Sequence, residues 1–216
     1  MDRRFLRYCA IGDSLTVGVG STCFVKGFIT RYLSLTRKTV EMPIFPSIFG
    51  KSGATSGDIL NNLNHPFIST RVKDAEIITI TAGGNDLIGA AKAFLQNKNE
   101  KDFLIALENG KKNLSKIINR IMNLKHSQGP YIIRMINLYN PFPNIAGADK
   151  WVEEYNHNIE RLANPPIIQV ANIHDLFHGK EKELLAHDHI HPNNKGYLII
   201  ANALFQLGYE PLIGIK

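Results

Sequence analysis

Cysteine is scarce in this chain. Only Cys9 and Cys23 occur in 216 residues, and they form no C-x-x-C pair. That removes a disulfide framework, a thiolate zinc site and a dithiol redox motif as organising features, and it fits a reducing compartment. No apolar run approaches the ~18–20 residues needed to cross a bilayer, so no integral membrane segment is expected. Nor is there a large excess of either charge: 25 Lys and Arg stand against 19 Asp and Glu, a net +6. The basic residues are scattered apart from Arg3, Arg4 and Arg7 and are not interleaved with aromatics. No nucleic-acid partner is therefore expected, while weak contact with an anionic membrane surface is compatible with the charge. The stretch Met1–Tyr8 lacks the apolar core of a secretory signal and runs into an apolar strand pattern, so a cytoplasmic location is expected.

Several familiar motifs are missing too. There is no H-E-x-x-H and no G-x-S-x-G elbow. Gly50-Lys51-Ser52 resembles the end of a phosphate loop, but Phe45 stands where its leading glycine belongs. Gly18-Val19-Gly20 begins a dinucleotide fingerprint that fails at Cys23. With 44% hydrophobic and 20% charged residues, the composition is that of an ordinary globular chain, and its length suits a single domain over residues 1–216.

What is present is an alternation of short apolar strands and helical patterns, the signature of parallel βαβ units. Strands are expected at Phe5–Ile11, Phe45–Phe49, Glu76–Thr81, Tyr131–Asn137 and Ile167–Val170. Helices are expected near Phe24–Leu35, Ser56–Asn64, Asp86–Gln96, Lys101–Lys125, Lys150–Ala163 and Asn193–Leu207. In the fourth helix Phe103, Leu107, Gly110, Leu114, Ile117, Ile118 and Ile121 trace one face. The pattern predicts one doubly wound α/β sheet, whose ligand site lies beyond the carboxyl ends of its strands.

Glycine and polar residues gather at those ends. Ile11-Gly12-Asp13-Ser14 follows the first strand and exposes the Ser14 hydroxyl and N–H on a turn, unless Ser14 merely caps a helix. Ser52-Gly53-Ala54-Thr55 follows the second, where Gly53 either exposes an N–H or shapes a turn. Ala82-Gly83-Gly84-Asn85-Asp86 follows the third and offers the Asn85 amide as a donor or a helix cap. His187-Asp188-His189-Ile190-His191 invites a zinc site, but its i, i+2, i+4 spacing matches no common ligand pattern. Asp188 and His191 instead suit a carboxylate–imidazole pair. Together the four segments supply a nucleophile, a base, an orienting acid and oxyanion donors.

Gly12-Asp13-Ser14-Leu15, Gly53, Gly84-Asn85-Asp86 and Asp188-His189-Ile190-His191-Pro192 resemble, in order, the four signature blocks of the SGNH (GDSL) esterase/lipase family. The resemblance implies a three-layer α/β/α flavodoxin-like fold with strand order 2-1-3-4-5. It also implies Ser14 as nucleophile, His191 as base, Asp188 as its partner, and an oxyanion hole from Ser14, Gly53 and Asn85. Family members often carry Asn-Ala-Gly before the second block's glycine, whereas this chain has Ile48-Phe49-Gly50 followed by Lys51. The implied activity is cofactor-free and metal-free hydrolysis of a small-molecule ester or lipid. A carbohydrate O-acetylesterase or thioesterase would share the machinery; a phosphate-binding module would use only the Gly12–Gly20 loop.

The loop Leu138–Gly147 is aromatic, and Tyr139 and Phe142 are candidates for the substrate pocket; alternatively Phe142 packs on Trp151. With no long insertion between blocks, an open, shallow cleft and a preference for short to medium acyl esters are expected.

Overall fold

Successive side chains of a strand point to opposite faces, and a parallel sheet must cover both. In the computed structural model, which describes residues 5–22, 27–126 and 128–212, that is how the core divides. Strands β1 (Leu6–Gly12), β2 (Ile44–Gly50), β3 (Ile77–Thr81), β4 (Ile132–Ile136) and β5 (Ile168–Ala171) form one parallel sheet of order β2-β1-β3-β4-β5. Leu6, Tyr8 and Ala10 of β1 face one layer, with Ile77, Ile132 and Ile136. Cys9 and Ile11 face the other, with Ile78, Ile80, Ile133 and Met135. Cys9 is a buried free thiol within that packing.

The helices are α1 (Ser14–Val17), α2 (Gly27–Val40), α3 (Ser56–Asn62), α4 (Pro66–Asp74), α5 (Gly84–Asn97), α6 (Lys101–Lys125), α7 (Ala148–Glu160), α8 (His174–Phe177), α9 (Glu181–Leu184) and α10 (Asn194–Gln206). Helices α2 and α10 cover the Tyr8 face through Phe28, Tyr32, Tyr197, Ile200 and Leu204. Helices α3 to α7 cover the Cys9 face, with Leu114, Ile117, Ile118 and Ile121 of α6 in the stripe its periodicity predicts. The predicted strand order and the doubly wound architecture are both present.

The differences are local. Helix α2 runs on to Val40, while residues 24–26 of the predicted segment lie outside the described residues. Helix α4 was not expected: it buries only Val72, so its apolar periodicity is weak, and its start is marked instead by Pro66 at the first helical position. The one-turn helices α1, α8 and α9 are too short to show a period.

Among the described residues Arg134 is the largest fully buried side chain, and no carboxylate is hydrogen-bonded to it. Its guanidinium donates to the carbonyls of Ile133, Pro166, Ile167 and, at 2.9 Å, Gly208. It thereby ties the entry to β5 to the segment that follows α10. Desolvation lowers its pKa from the ordinary arginine value.

Gly83, at the turn from β3 into α5, has φ +115°, and a Cβ there would run into the ring of the fully buried Tyr155. Gly110 of α6 closes on the same ring from α6, with 2.5 Å from a built Cβ to the Tyr155 hydroxyl. Gly83→Ala combines a disfavoured backbone with overpacking, and a loss of about 2–4 kcal/mol in urea unfolding is expected. An unchanged midpoint would mean that Tyr155 can move aside without cost.

Candidate active site

Where β1 ends, Gly12 passes so close to β3 that a Cβ would collide with the Thr81 hydroxyl and lie 2.6 Å from its carbonyl. The chain then turns at once into α1. Asp13 caps that helix, its Oδ1 accepting from the Leu15 N–H at 3.0 Å and from the Thr81 hydroxyl at 2.8 Å. The Asp13 N–H donates back to Thr81 Oγ1 at 3.1 Å, and Thr16 Oγ1 lies 2.9 Å from the same atom. Burial raises the pKa of Asp13, opposed by the hydrogen bonds from Thr81 and Leu15. Ser14 is thus the first residue of a helix whose entry is clamped to the neighbouring strand. Because the Asp13 carboxylate occupies the cap, an anionic phosphate has no place there, which removes the phosphate-cradle alternative for this loop.

The segment before α10 comes to meet Ser14. Asp188 Oδ1 accepts the N–H groups of Ile190 (3.0 Å) and His191 (2.9 Å), folding the turn back on itself. Its Oδ2 lies 2.6 Å from His191 Nδ1, and His191 Nε2 lies 2.9 Å from Ser14 Oγ. Desolvation alone would raise the Asp188 pKa. The hydrogen bonds from the His191 ring and from the His191 and Ile190 N–H groups outweigh it and hold the value down to about 2. Backbone pairing between Leu185 and Pro192, and a 2.6 Å bond from the Tyr139 hydroxyl to the Ile190 carbonyl, fix this loop. Gly20 lets it approach closely, since a Cβ there would lie 2.6 Å from the Pro192 carbonyl.

The other two segments converge from β2 and β3. The Asn85 amide donates one proton to the Ala54 carbonyl at 2.9 Å, leaving its second for the cleft. Asp86 accepts both the Ser56 N–H (2.8 Å) and the Ser56 hydroxyl (2.6 Å), and Asn113 of α6 donates to that hydroxyl at 3.0 Å. These bonds lock the Gly53 turn to the start of α5. Gly53 has φ +79°, and its N–H has no hydrogen-bond partner among the described residues. Every block singled out in the sequence therefore reaches one cleft: Ser14, Gly53, Asn85 and His191 all line it.

The cleft continues into a cavity of about 470 Å³, within the range usual for small-molecule sites. Its far walls are apolar and come from α5, α6, α7 and the segment 138–147. The expected shallow cleft is therefore not what forms: α5 and the first turn of α6 build a wall that block spacing alone could not reveal. Phe142 lines this cavity. Trp151 does not stack on it but on Phe103, with ring centroids 4.7 Å apart. Tyr139 also lines the cavity, but its ring stacks on Phe177 at 4.5 Å and its hydroxyl holds the His191 loop.

The histidines at 187 and 189 are exposed and are not brought together with His191 as ligands. Among the described residues, Asp149, Glu153 and His174 are the ligand-type side chains that lie close enough to share an ion. Both His174 nitrogens already face carboxylates, Asp149 at 3.2 Å and Asp175 at 3.3 Å, so hydrogen bonding accounts for that cluster. Thr81, Ser56 and Asn113 were missed in the sequence. Thr81 left one trace, a hydroxyl at the carboxyl end of its strand, though Thr79 two residues earlier carries one too; the other two left none.

A hydroxyl, imidazole and carboxylate in line, beside free N–H donors at the carboxyl edge of a doubly wound sheet, define the class of serine ester hydrolases. Residues 10–199 match the model of the GDSL-like lipase/acylhydrolase family, and the chain belongs to that family. It is 40% identical to the spore germination lipase LipC of Bacillus licheniformis over 97% of this chain and 99% of that protein. Among solved structures, the lipase Lip_vut3 from a goat rumen metagenome superposes with a TM-score of 0.92 at 40% identity, covering 96% of this chain and 99% of that one. The acetylxylan esterase Axe2 of Geobacillus stearothermophilus shares the fold at a TM-score of 0.70 and 19% identity, over 95% of each chain. The chain is an esterase/lipase-type hydrolase.

The low Asp188 pKa has a testable sign. A depressed carboxyl stabilises the folded state above its unfolded value, near ~3.9, and that contribution is lost as the pH falls through about 2. A carboxyl-carbon NMR titration should place the Asp188 midpoint well below the ordinary aspartate value. A midpoint at or above it would show that the His191 contact does not persist in solution.

Proposed function

We propose that ester cleavage proceeds through an acyl-enzyme on Ser14, within one hydrolase domain spanning the chain. The observation that carries this reading is the continuous relay from Asp188 Oδ2 through His191 to Ser14 Oγ, at 2.6 and 2.9 Å. The Ser14 hydroxyl donates to His191 Nε2, which takes the proton as Oγ attacks the ester carbonyl. The His191 Nδ1–H donates to Asp188, whose charge holds the tautomer and stabilises the imidazolium. Negative charge then develops on the carbonyl oxygen, where the N–H groups of Ser14 and Gly53 and the spare Asn85 proton can meet it. His191 returns its proton to the leaving alcohol, and a water repeats the cycle on the acyl-enzyme.

The lipase names of its relatives and the apolar far wall of the cavity favour a lipid-type acyl ester over an acetylated sugar. A thioesterase would use the same relay and differ only in its leaving group.

Ser14→Ala or His191→Ala should lower kcat by at least about 10³-fold while the folded spectrum is retained. A stoichiometric adduct with an organophosphorus fluoride should map to Ser14. More than a tenth of wild-type turnover in Ser14→Ala overturns the mechanism.

Asn85→Ala should reduce kcat by roughly 10²–10³ with little change in KM, the signature of a donor used in the transition state. A rise in KM alone would assign Asn85 to ground-state binding instead.

A further inference from the structure

Helix α5 begins at the site and leads away from it. Gly84 and Asn85 occupy its first turn, and Leu87, Ile88, Ala91, Phe94 and Leu95 line the cavity. Those five positions fall at i, i+1, i+4, i+7 and i+8, a single stripe along the helix. At 1.5 Å per residue the stripe reaches about 15 Å from Asn85 to Leu95. The stacked rings of Phe103 and Trp151 form an aromatic wall of the cavity, and Phe94 packs against Phe103 with ring centroids 5.7 Å apart. A staggered hydrocarbon advances about 1.3 Å per carbon, so this length matches an extended acyl chain of about ten to twelve carbons. The stripe is built of large side chains with one exception: Ala91, about 9 Å along the helix from Asn85. A bulky side chain there would fill the groove at its middle.

We infer that the groove along α5 binds the acyl chain of an ester of about ten to twelve carbons, and that Ala91 determines this length by keeping the outer half open. The inference rests on the Ser14 reading, because it places the reacting carbonyl between Ser14 and Asn85. An acetyl group would occupy only the first turn of the stripe and leave the aromatic wall in water. This places the preference at the long end of the short-to-medium range expected from the sequence.

The test is a series of p-nitrophenyl esters from acetate through butyrate, octanoate, decanoate and laurate to palmitate, each below its aggregation limit. For the wild-type enzyme kcat/KM should climb by up to about fourfold per added methylene and level off near ten to twelve carbons. In Ala91→Phe the decanoate-to-acetate ratio of kcat/KM should fall at least about tenfold, and in Ala91→Leu by a smaller factor, which guards against misfolding of the larger variant. A flat or falling wild-type series, or unchanged ratios in both variants, overturns the inference. Organophosphorus labelling of Ser14 in the same preparations separates the two claims. Labelling with a flat series removes the groove alone, whereas no labelling removes the Ser14 reading beneath it.

Discussion

The site hangs on how closely β1 and β3 end beside one another. Gly12 has no Cβ, and only for that reason can the first strand turn against the hydroxyl and carbonyl of Thr81. The Thr81 hydroxyl then gives its proton to Asp13 and accepts the Asp13 N–H, so one side chain of β3 holds both ends of the turn. The parallel register, with Ile11 opposite Ile80, brings these residues level. A turn made this way leaves Ser14 no choice of direction: it is the first residue of a helix already capped by its neighbour. The buried Asp13 carboxylate is expensive to desolvate and is tolerated because two donors meet it.

The remaining parts are brought to Ser14 by separate devices of the same kind. Asp86 clamps the Gly53 turn to α5 through both Ser56 donors, so the turn after β2 and the amide after β3 move as one body. Tyr139, from the end of β4, grips the Ile190 carbonyl while its ring rests on Phe177. Tyr197 of α10 donates to the Val19 carbonyl at 2.6 Å, tying the helix that follows His191 to the loop that follows Ser14. Preorganisation of this kind matters because oxyanion donors and base must already be in place when charge develops. The sheet supplies the common edge; side-chain hydrogen bonds between loops supply the alignment.

That division explains what could be read from the residues alone. Parallel strands buried on both faces are short aliphatic runs, so all five strands stood out. The long α6 stripe was equally clear, because a helix against a sheet must repeat its apolar positions. The four blocks were legible because glycine, serine, asparagine and histidine cluster where a sheet ends. The bonds that align them were not, since Ser56, Asn113 and Tyr139 are ordinary residues whose partners lie 30 to 57 positions away. Tyr139 was a candidate for the pocket on its aromatic ring alone, whereas the use of its hydroxyl depends on where Ile190 arrives. Helix α4 escaped because a surface helix burying one valine has almost no period to detect.

The cavity follows a different logic from the machinery. Helix α5 buries only Leu87 and Ala90 fully, so most of its length is not committed to the sheet. Its N-terminal turn is held by the Asp86 clamp, whereas the turns beyond pack on α6 through Phe94 and Phe103 and turn their remaining side chains to the cavity. Substitutions on the outer stripe therefore change the space available to a substrate without disturbing Gly12, Thr81 or the His191 loop. Each methylene that the wall contacts is worth about 0.8 kcal/mol, and a few such contacts shift selectivity by orders of magnitude. Reaction type and substrate length are thus written on different elements. Chemistry sits where three strands end, and selectivity sits on one helix that leaves that edge.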